Sequence, residues 1–253
     1  MDRALEPIRV YAAGSLRNVL PALISAFDAA ADSAFEVRLG PAGLLRERIE
    51  AGERPDLFLS ANVAHPTRLA EAGLARPPIV FARNTLAAIA RRDANVTTGN
   101  FVDRLLAPEV AIATSTPLMD PSGDYAWEVF HKIGKIRPGA FAVLDAKAQK
   151  LVGGGEPTNT PGNYDVIAEA LRTGAATLFL GYRTGLEPLA AKLGAVEVVT
   201  IPPEINAAPR YGMAVANDCS YLGRAFALFI LSSTGQKLLS DFGFQPIAAA
   251  VAD

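Results

Sequence analysis

Strand and helix signals alternate along nearly the whole chain, and this alternation limits the fold more than any other feature. Short apolar or alternating runs typical of strands occur at 8–12, 35–39, 56–60, 86–90, 110–113, 177–182 and 211–215. Several of them are followed by apolar residues at the 3.6-residue spacing of an amphipathic helix. Alternating strand and helix units favour an α/β protein.

The first strand and helix show this pattern most clearly. The strand signal from Ile8 to Ala12 runs into Gly14 and Ser15, and a helical face of apolar residues follows. Its members are Leu16, Val19, Leu20, Leu23, Ile24 and Phe27. The spacing predicts a helix that begins directly after Ser15, with Ser15 as its N-cap. Gly14 lets the backbone approach a neighbour closely.

Two proline-containing segments predict how the chain divides. Residues 77–84 and 202–210 interrupt the strand–helix alternation and are interpreted as connectors. Two connectors predict that the chain crosses twice between two lobes. The predicted boundaries are 1–82 for the first part of lobe 1, 83–208 for lobe 2 and 209–253 for the return segment of lobe 1.

Composition excludes several classes of function. The 24 basic and 26 acidic residues nearly cancel, so no charge field predicts a nucleic-acid partner. A single cysteine, Cys219, excludes an internal disulfide, and two isolated histidines do not form a zinc pattern, so neither a metal site nor a cofactor is expected. Residues 1–7 lack the apolar core of a signal peptide, which predicts a cytosolic chain or a mature form whose leader is replaced by Met.

Four junctions between a loop and a predicted helix carry small or hydroxylated residues. They are Gly14-Ser15, Ala42-Gly43, Ser122-Gly123 and Asn163-Tyr164. Ligands of α/β sheets lie beyond the carboxyl ends of the strands, and helix N-termini present unpaired N–H groups that suit an anion. The four junctions therefore favour an oxyanion site with neutral donors. The alternative is that all four are ordinary helix starts; Asp120, before Pro121, is itself expected to be a cap.

Other chemistries find less support in the sequence. The chain has no GxxxxGK[ST] phosphate loop, Gly153-Gly154-Gly155 lacks the following lysine, and no GxSxG motif surrounds Ser15 or Ser122. No enzymatic activity is therefore predicted. Arg17 and Arg46 each follow a junction, and either could anchor a carboxylate or phosphate of an organic anion, unless both face solvent.

Three sequence blocks resemble a known family. Val10-Tyr11-Ala12-Ala13-Gly14-Ser15-Leu16, the segment 49–61 and the late Gly235-Gln236 with Gly243-Phe244 are similar to the periplasmic molybdate-binding proteins of ABC transporters, in order along nearly the whole chain. The resemblance implies a two-lobe class II periplasmic-binding-protein fold with the ligand cleft between the lobes. It also implies a periplasmic monomer that binds molybdate or tungstate and delivers it to a membrane permease.

The resemblance also implies the ligand contacts. Ser15 matches the family's first-lobe serine, Ser122 lies where the family uses a backbone amide, Tyr164 lies near another backbone donor, and Tyr182 matches the family's tyrosine. The family's second serine is replaced by Ala42, which removes one donor at a cost of about 1.5–3 kcal/mol, or ~10–150-fold in affinity. The complete predicted set is Gly14, Ser15, Ala42, Gly43, Ser122, Gly123, Tyr164 and Tyr182.

Two alternatives stay open at this point. One is a binding protein for a small organic anion, with Arg17 or Arg46 as its anchor. The other is a cytosolic ligand-sensing domain, since transcriptional regulators use similar two-lobed folds; no helix-turn-helix segment or basic patch favours it.

Overall fold

The computed structural model describes residues 6–31, 34–154 and 163–247. Within these ranges the chain forms ten strands and ten α-helices. In chain order they are β1 (Ile8–Ala13), α1 (Leu20–Ala31), β2 (Phe35–Gly40), α2 (Ala42–Glu50), β3 (Leu57–Ser60), α3 (Ala64–Glu71), β4 (Ile79–Arg83), β5 (Leu86–Arg91), α4 (Phe101–Leu106), β6 (Ile112–Ser115), α5 (Pro121–Ile136), α6 (Ala140–Lys147), β7 (Gln149–Val152), α7 (Asn163–Thr173), β8 (Leu178–Tyr182), α8 (Arg183–Leu193), β9 (Val196–Thr200), β10 (Arg210–Val215), α9 (Tyr221–Leu231) and α10 (Ser233–Asp241).

The chain divides into two compact units. Unit 1 comprises Met1–Asn84 and Arg210–Asp253, and unit 2 comprises Thr85–Pro209. Each unit contains one five-stranded sheet, in the order β2-β1-β3-β10-β4 in unit 1 and β7-β6-β8-β5-β9 in unit 2. The first three strands of each order are parallel, and the fourth is antiparallel to both of its neighbours. The predicted α/β class is confirmed, and both of its sheets are mixed.

Unit 1 packs α1 and α9 through an aromatic cluster beside the sheet. The Phe226 ring lies 5.2 Å from Phe27 and 4.9 Å from Phe35, centroid to centroid, and both pairs are edge-on. Edge-to-face packing suits the quadrupoles of aromatic rings. Unit 2 packs α7 and α8 against its sheet through apolar side chains that include Ile167, Phe179 and Leu186, all almost completely buried. Each unit thus has its own core, built from the apolar periodicity of its helices.

The helix after β1 begins later than its apolar spacing predicts. Residues Gly14–Leu16 form a short 3-10 helix, α1 starts at Leu20, and the Ser15 side chain does not cap either segment. Pro21 explains the difference, because a continuous helix from Leu16 would need a Pro21 N–H to bond the carbonyl of Arg17, and proline has none. Proline is well accommodated in the first turn, where it lies here. The prediction that Ser15 is the N-cap of this helix is wrong.

The segment 77–84, predicted to be only a connector, contains a strand. Ile79–Arg83 forms β4, which pairs with β10 at one edge of the unit 1 sheet. None of the helices in the described part of the chain is long and apolar enough to cross a membrane.

Candidate functional site

Both predicted junctions of unit 1 follow strands that end at the same edge of its sheet. Because β1, β2 and β3 are parallel, with Ala13 paired to Gly40 and Ala12 to Leu59, the chain leaves all three at this edge. β10 is antiparallel to β3 and β4 is antiparallel to β10, so β4 ends and β10 begins at the same edge. Topology therefore gathers Ser15, Ala42, Asn84 and Tyr211 at one side of unit 1.

A chain of three polar side chains ends at Ser15. The Asn84 Nδ2 donates to the Tyr211 hydroxyl oxygen at 3.3 Å, and the Tyr211 hydroxyl donates to Ser15 Oγ at 2.9 Å. Tyr211 and Asn84 are buried, with 0% and 2% of their surface exposed, whereas Ser15 is only partly buried. Since the Ser15 oxygen accepts a hydrogen bond, its own proton is left to donate to a further acceptor.

The second junction of unit 1 offers backbone amides but no hydroxyl. Ala42 and Gly43 are buried in the first turn of α2, whose N-cap, Pro41, provides no side-chain hydrogen bond. The first N–H groups of an α-helix have no acceptor within the helix. Ala42 therefore retains the donor of its backbone while lacking the serine hydroxyl of the family that the sequence resembles.

Arg46 and His65 form a buried polar pair between α2 and α3. The Arg46 guanidinium lies 3.4 Å from His65 Nδ1 and forms ion pairs with Glu47 and Glu50 at 3.1 and 3.4 Å. Burial, and then the charges of Arg46 and Arg68, lower the pKa of His65 to about 4, so the imidazole is neutral at pH 7. The Arg46 charge is thus held by acids of its own helix, which does not favour Arg46 as an anchor for an organic anion.

Arg17, the other residue considered as an anchor, lies on the exposed surface just after the 3-10 helix. This placement agrees with the interpretation that it faces solvent.

The candidates of unit 2 surround the end of β8. β6, β7 and β8 are parallel, so the loops after them leave the sheet at one edge. Three close approaches involve the predicted side chains. Ser122 Oγ lies 3.6 Å from the position that a Cβ on Gly181 would take, and a Cβ on Gly185 would overlap the Tyr164 hydroxyl. The Tyr182 ring lies edge-on to the Tyr125 ring, with 6.3 Å between their centroids. The structure therefore brings Ser122, Tyr164 and Tyr182 to one corner of unit 2.

Asp120 occupies the backbone donors of the Ser122 junction. Its carboxylate accepts from the Ser122 N–H at 3.0 Å, and its carbonyl accepts from the Gly123 N–H at 2.8 Å. The prediction that Asp120 caps α5 is confirmed. Burial raises the pKa of the Asp120 carboxyl, although its hydrogen bonds from Ser122 and Ser115 oppose this. An anion at this junction would meet the Ser122 hydroxyl, because both amides already have acceptors.

Sequence reasoning did not identify Tyr211 and Asn84 as neighbours of Ser15. Asn84 is the last residue before the first crossing to unit 2, and Tyr211 is the second residue after the return. Their position beside the two predicted connectors was the one available signal. In the described ranges, no cluster of three or more His, Cys, Asp or Glu side chains could hold a metal ion.

The chain crosses twice between two α/β units, and each unit has the strand order described above. These features define the class of two-lobe solute-binding proteins with the class II periplasmic fold. The chain belongs to the family of bacterial extracellular solute-binding proteins, whose model matches residues 8–245. It is thus a solute-binding protein of the type that works with ABC transporters.

The chain is also similar to a curated protein and to several solved structures. The uncharacterized protein PM1146 of Pasteurella multocida is 35% identical over 246 residues, which cover 94% of this chain and 98% of that protein. The structure of the periplasmic molybdate-binding protein of Azotobacter vinelandii is 16% identical in sequence and superposes with a TM-score of 0.71. The match covers 94% of this chain and 98% of that protein's chain. The sulfate-binding protein SubI of Mycobacterium tuberculosis is 20% identical with a TM-score of 0.78, with coverages of 95% and 87%. At these identities the two structures show the fold alone.

Proposed function

We propose that this protein is the periplasmic binding component of an ABC importer for a tetrahedral oxyanion, with molybdate or tungstate as the first candidates. It binds the anion without chemical change and presents it to a membrane permease. The residues proposed to contact the anion are Gly14, Ser15, Ala42, Gly43, Ser122, Tyr164 and Tyr182. Gly123, also predicted from the sequence, lies next to Ser122, but its amide already donates to the Asp120 carbonyl.

The observation that carries the proposal is the position and hydrogen bonding of the Ser15 hydroxyl. This hydroxyl lies beyond the carboxyl end of the parallel strand β1, where α/β proteins bind ligands. It accepts a hydrogen bond from Tyr211, so the proton of Ser15 is available to an acceptor. The first amides of α2 lie at the same edge and carry the positive end of a helix dipole. Neutral donors of this kind suit a small anion with several oxygens. The solved structures of molybdate- and sulfate-binding proteins with this fold support an oxyanion.

Isothermal titration calorimetry with molybdate, tungstate, sulfate and phosphate tests the proposal. We expect saturable binding of at least one oxyanion, with molybdate or tungstate tighter than phosphate, and a matching rise in the melting temperature. The control variant Ser240→Ala replaces an exposed serine on α10 and should bind as the wild type does. The absence of both heat and thermal shift with all four anions would refute an oxyanion ligand; tighter binding of sulfate or phosphate would refute only the preference for molybdate and tungstate.

A further inference from the structure

We infer that Tyr211 and Asn84 are positioning residues that aim the Ser15 proton at the anion. The inference rests on the proposed function, since it assigns the hydrogen-bond direction at one of the proposed contacts. It adds two residues that act through Ser15 and that lie beside the two chain crossings.

The two hydrogen bonds run in one direction along the chain of side chains. The Asn84 amide donates to the Tyr211 oxygen, and the Tyr211 hydroxyl donates its proton to Ser15 Oγ. The Ser15 oxygen is then an acceptor within the protein, and the Ser15 proton is directed elsewhere. Without Tyr211 the serine hydroxyl would be free to rotate, and its oxygen lone pairs would face the anion part of the time. Lone pairs repel an anion, so binding would weaken.

The surroundings of Tyr211 hold its hydroxyl in this place. Its ring lies edge-on to Phe81 at 6.1 Å and to Phe244 at 5.3 Å, and it is completely buried. Each donor in such a chain polarises the next, so the Ser15 hydroxyl becomes a stronger donor than an isolated serine. The two aromatic contacts hold the ring, and the hydrogen bond from Asn84 holds the hydroxyl oxygen beside Ser15.

A double-mutant cycle separates positioning from a purely structural role. The dissociation constants of molybdate and sulfate are measured by calorimetry for the wild type, Tyr211→Phe, Ser15→Ala and the double variant. We expect Tyr211→Phe to weaken binding of whichever anion binds by about 5–10-fold in the wild-type background, which corresponds to one ordinary hydrogen bond. In the Ser15→Ala background the same substitution should change affinity less than twofold, because the hydroxyl that it orients is gone.

Asn84→Ala, measured in the same two backgrounds, provides a second route if Tyr211→Phe folds poorly. It should also weaken binding with Ser15 present and have little effect without it. Equal losses in both backgrounds, or no loss with Ser15 present, would overturn the positioning role while leaving the oxyanion function intact. If the wild type binds none of the four oxyanions of the first experiment, the proposed function fails, and the positioning role fails with it.

Discussion

The Ser15 junction and the Ser122 junction occupy equivalent places in the two units but carry different chemistry. Each follows the strand at the second place in its sheet order, β1 in one unit and β6 in the other, with a parallel strand on either side. At the Ser15 junction a neutral tyrosine donates to the serine. At the Ser122 junction a carboxylate accepts from the serine amide.

The difference shows that topology decides where a loop lies, whereas the local side chains decide what the loop can donate. Parallel strands bring both junctions to the carboxyl edge of a sheet. A short 3-10 helix leaves Ser15 partly exposed with an oriented hydroxyl, while the cap of the long helix α5 uses the Ser122 and Gly123 amides for the helix itself. We therefore expect the Ser15 junction to be the stronger donor to an anion.

The largest expected effect distinguishes the glycines of the two junctions. A Cβ on Gly123 would lie 2.6 Å from the carbonyl oxygen of Ser115 and from the nitrogen of Pro117, whereas a Cβ on Gly14 would have no such neighbour within 4 Å. Gly123→Ala should lower the free energy of unfolding by about 3 kcal/mol, since backbone atoms cannot move aside easily. Gly14→Ala should change it by less than about 1 kcal/mol. Urea denaturation followed by circular dichroism measures both, and similar losses would contradict the difference in packing.

The next effect compares the two serines as ligands. Ser15→Ala should weaken oxyanion binding by ~10–150-fold, the loss of a hydrogen bond to a charged group. Ser122→Ala should weaken it less, because the acidic cap beside Ser122 disfavours an anion there. Calorimetry on the two variants, with Ser240→Ala as control, measures the ratio. A larger loss at Ser122 would reverse the proposed ranking of the two junctions.

A smaller effect follows from restoring a hydroxyl beside Ser15. Ala42→Ser should tighten molybdate binding by about 10-fold, since the added hydroxyl can donate to the same anion. Ala42 is completely buried, so an unsatisfied hydroxyl should also lower the stability of the ligand-free protein. Melting temperatures with and without molybdate measure both effects together. Unchanged affinity would mean that Ala42 lies away from the anion.

The parts of the fold that the sequence predicted are those with local signals. Pro121 and Asp120 mark the start of α5 within two adjacent residues, and the alternation of β2 identifies it despite its place at a sheet edge. The strands that were missed, β4, β7 and β9, are all edge strands. An edge strand is less enclosed by neighbouring elements; in β7 only Val152 is buried, so no continuous apolar run appears.

The candidate site divides in the same way. Ser15 is recognisable because a strand, a small residue and a helical face follow one another within a few positions. Its partner Tyr211 lies 196 positions away, and Asn84 lies 127 positions from Tyr211. Only the pairing of β10 with β3 and β4 brings these residues together, and a single sequence does not specify which distant strands pair.

The smallest effect is expected from a substitution that replaces the acidic cap of the Ser122 junction by a neutral one. Asp120→Asn keeps an oxygen that can accept from the Ser122 amide but removes the titration. Burial raises the pKa of the native carboxyl above its ordinary 3.8, and the neighbouring Asp124 raises it further. Because the pKa is raised in the folded state, the folded protein is more stable with the Asp120 carboxyl neutral than with it ionised. This contribution to the free energy of unfolding is fully present at pH values below 3.8 and is lost as the pH rises through the folded-state pKa.

The stability of Asp120→Asn relative to the wild type should therefore increase between pH 4 and pH 7. Urea denaturation at intervals across that range measures the trend, with the exposed Asp218→Asn as control. Sulfate affinity should rise as well, because a carboxylate no longer faces the anion. A relative stability that does not change with pH would mean that Asp120 ionises in the folded protein as it does in the unfolded chain. The contrast between the two junctions would then come from hydrogen-bond geometry alone, because the desolvated charge would contribute nothing to it.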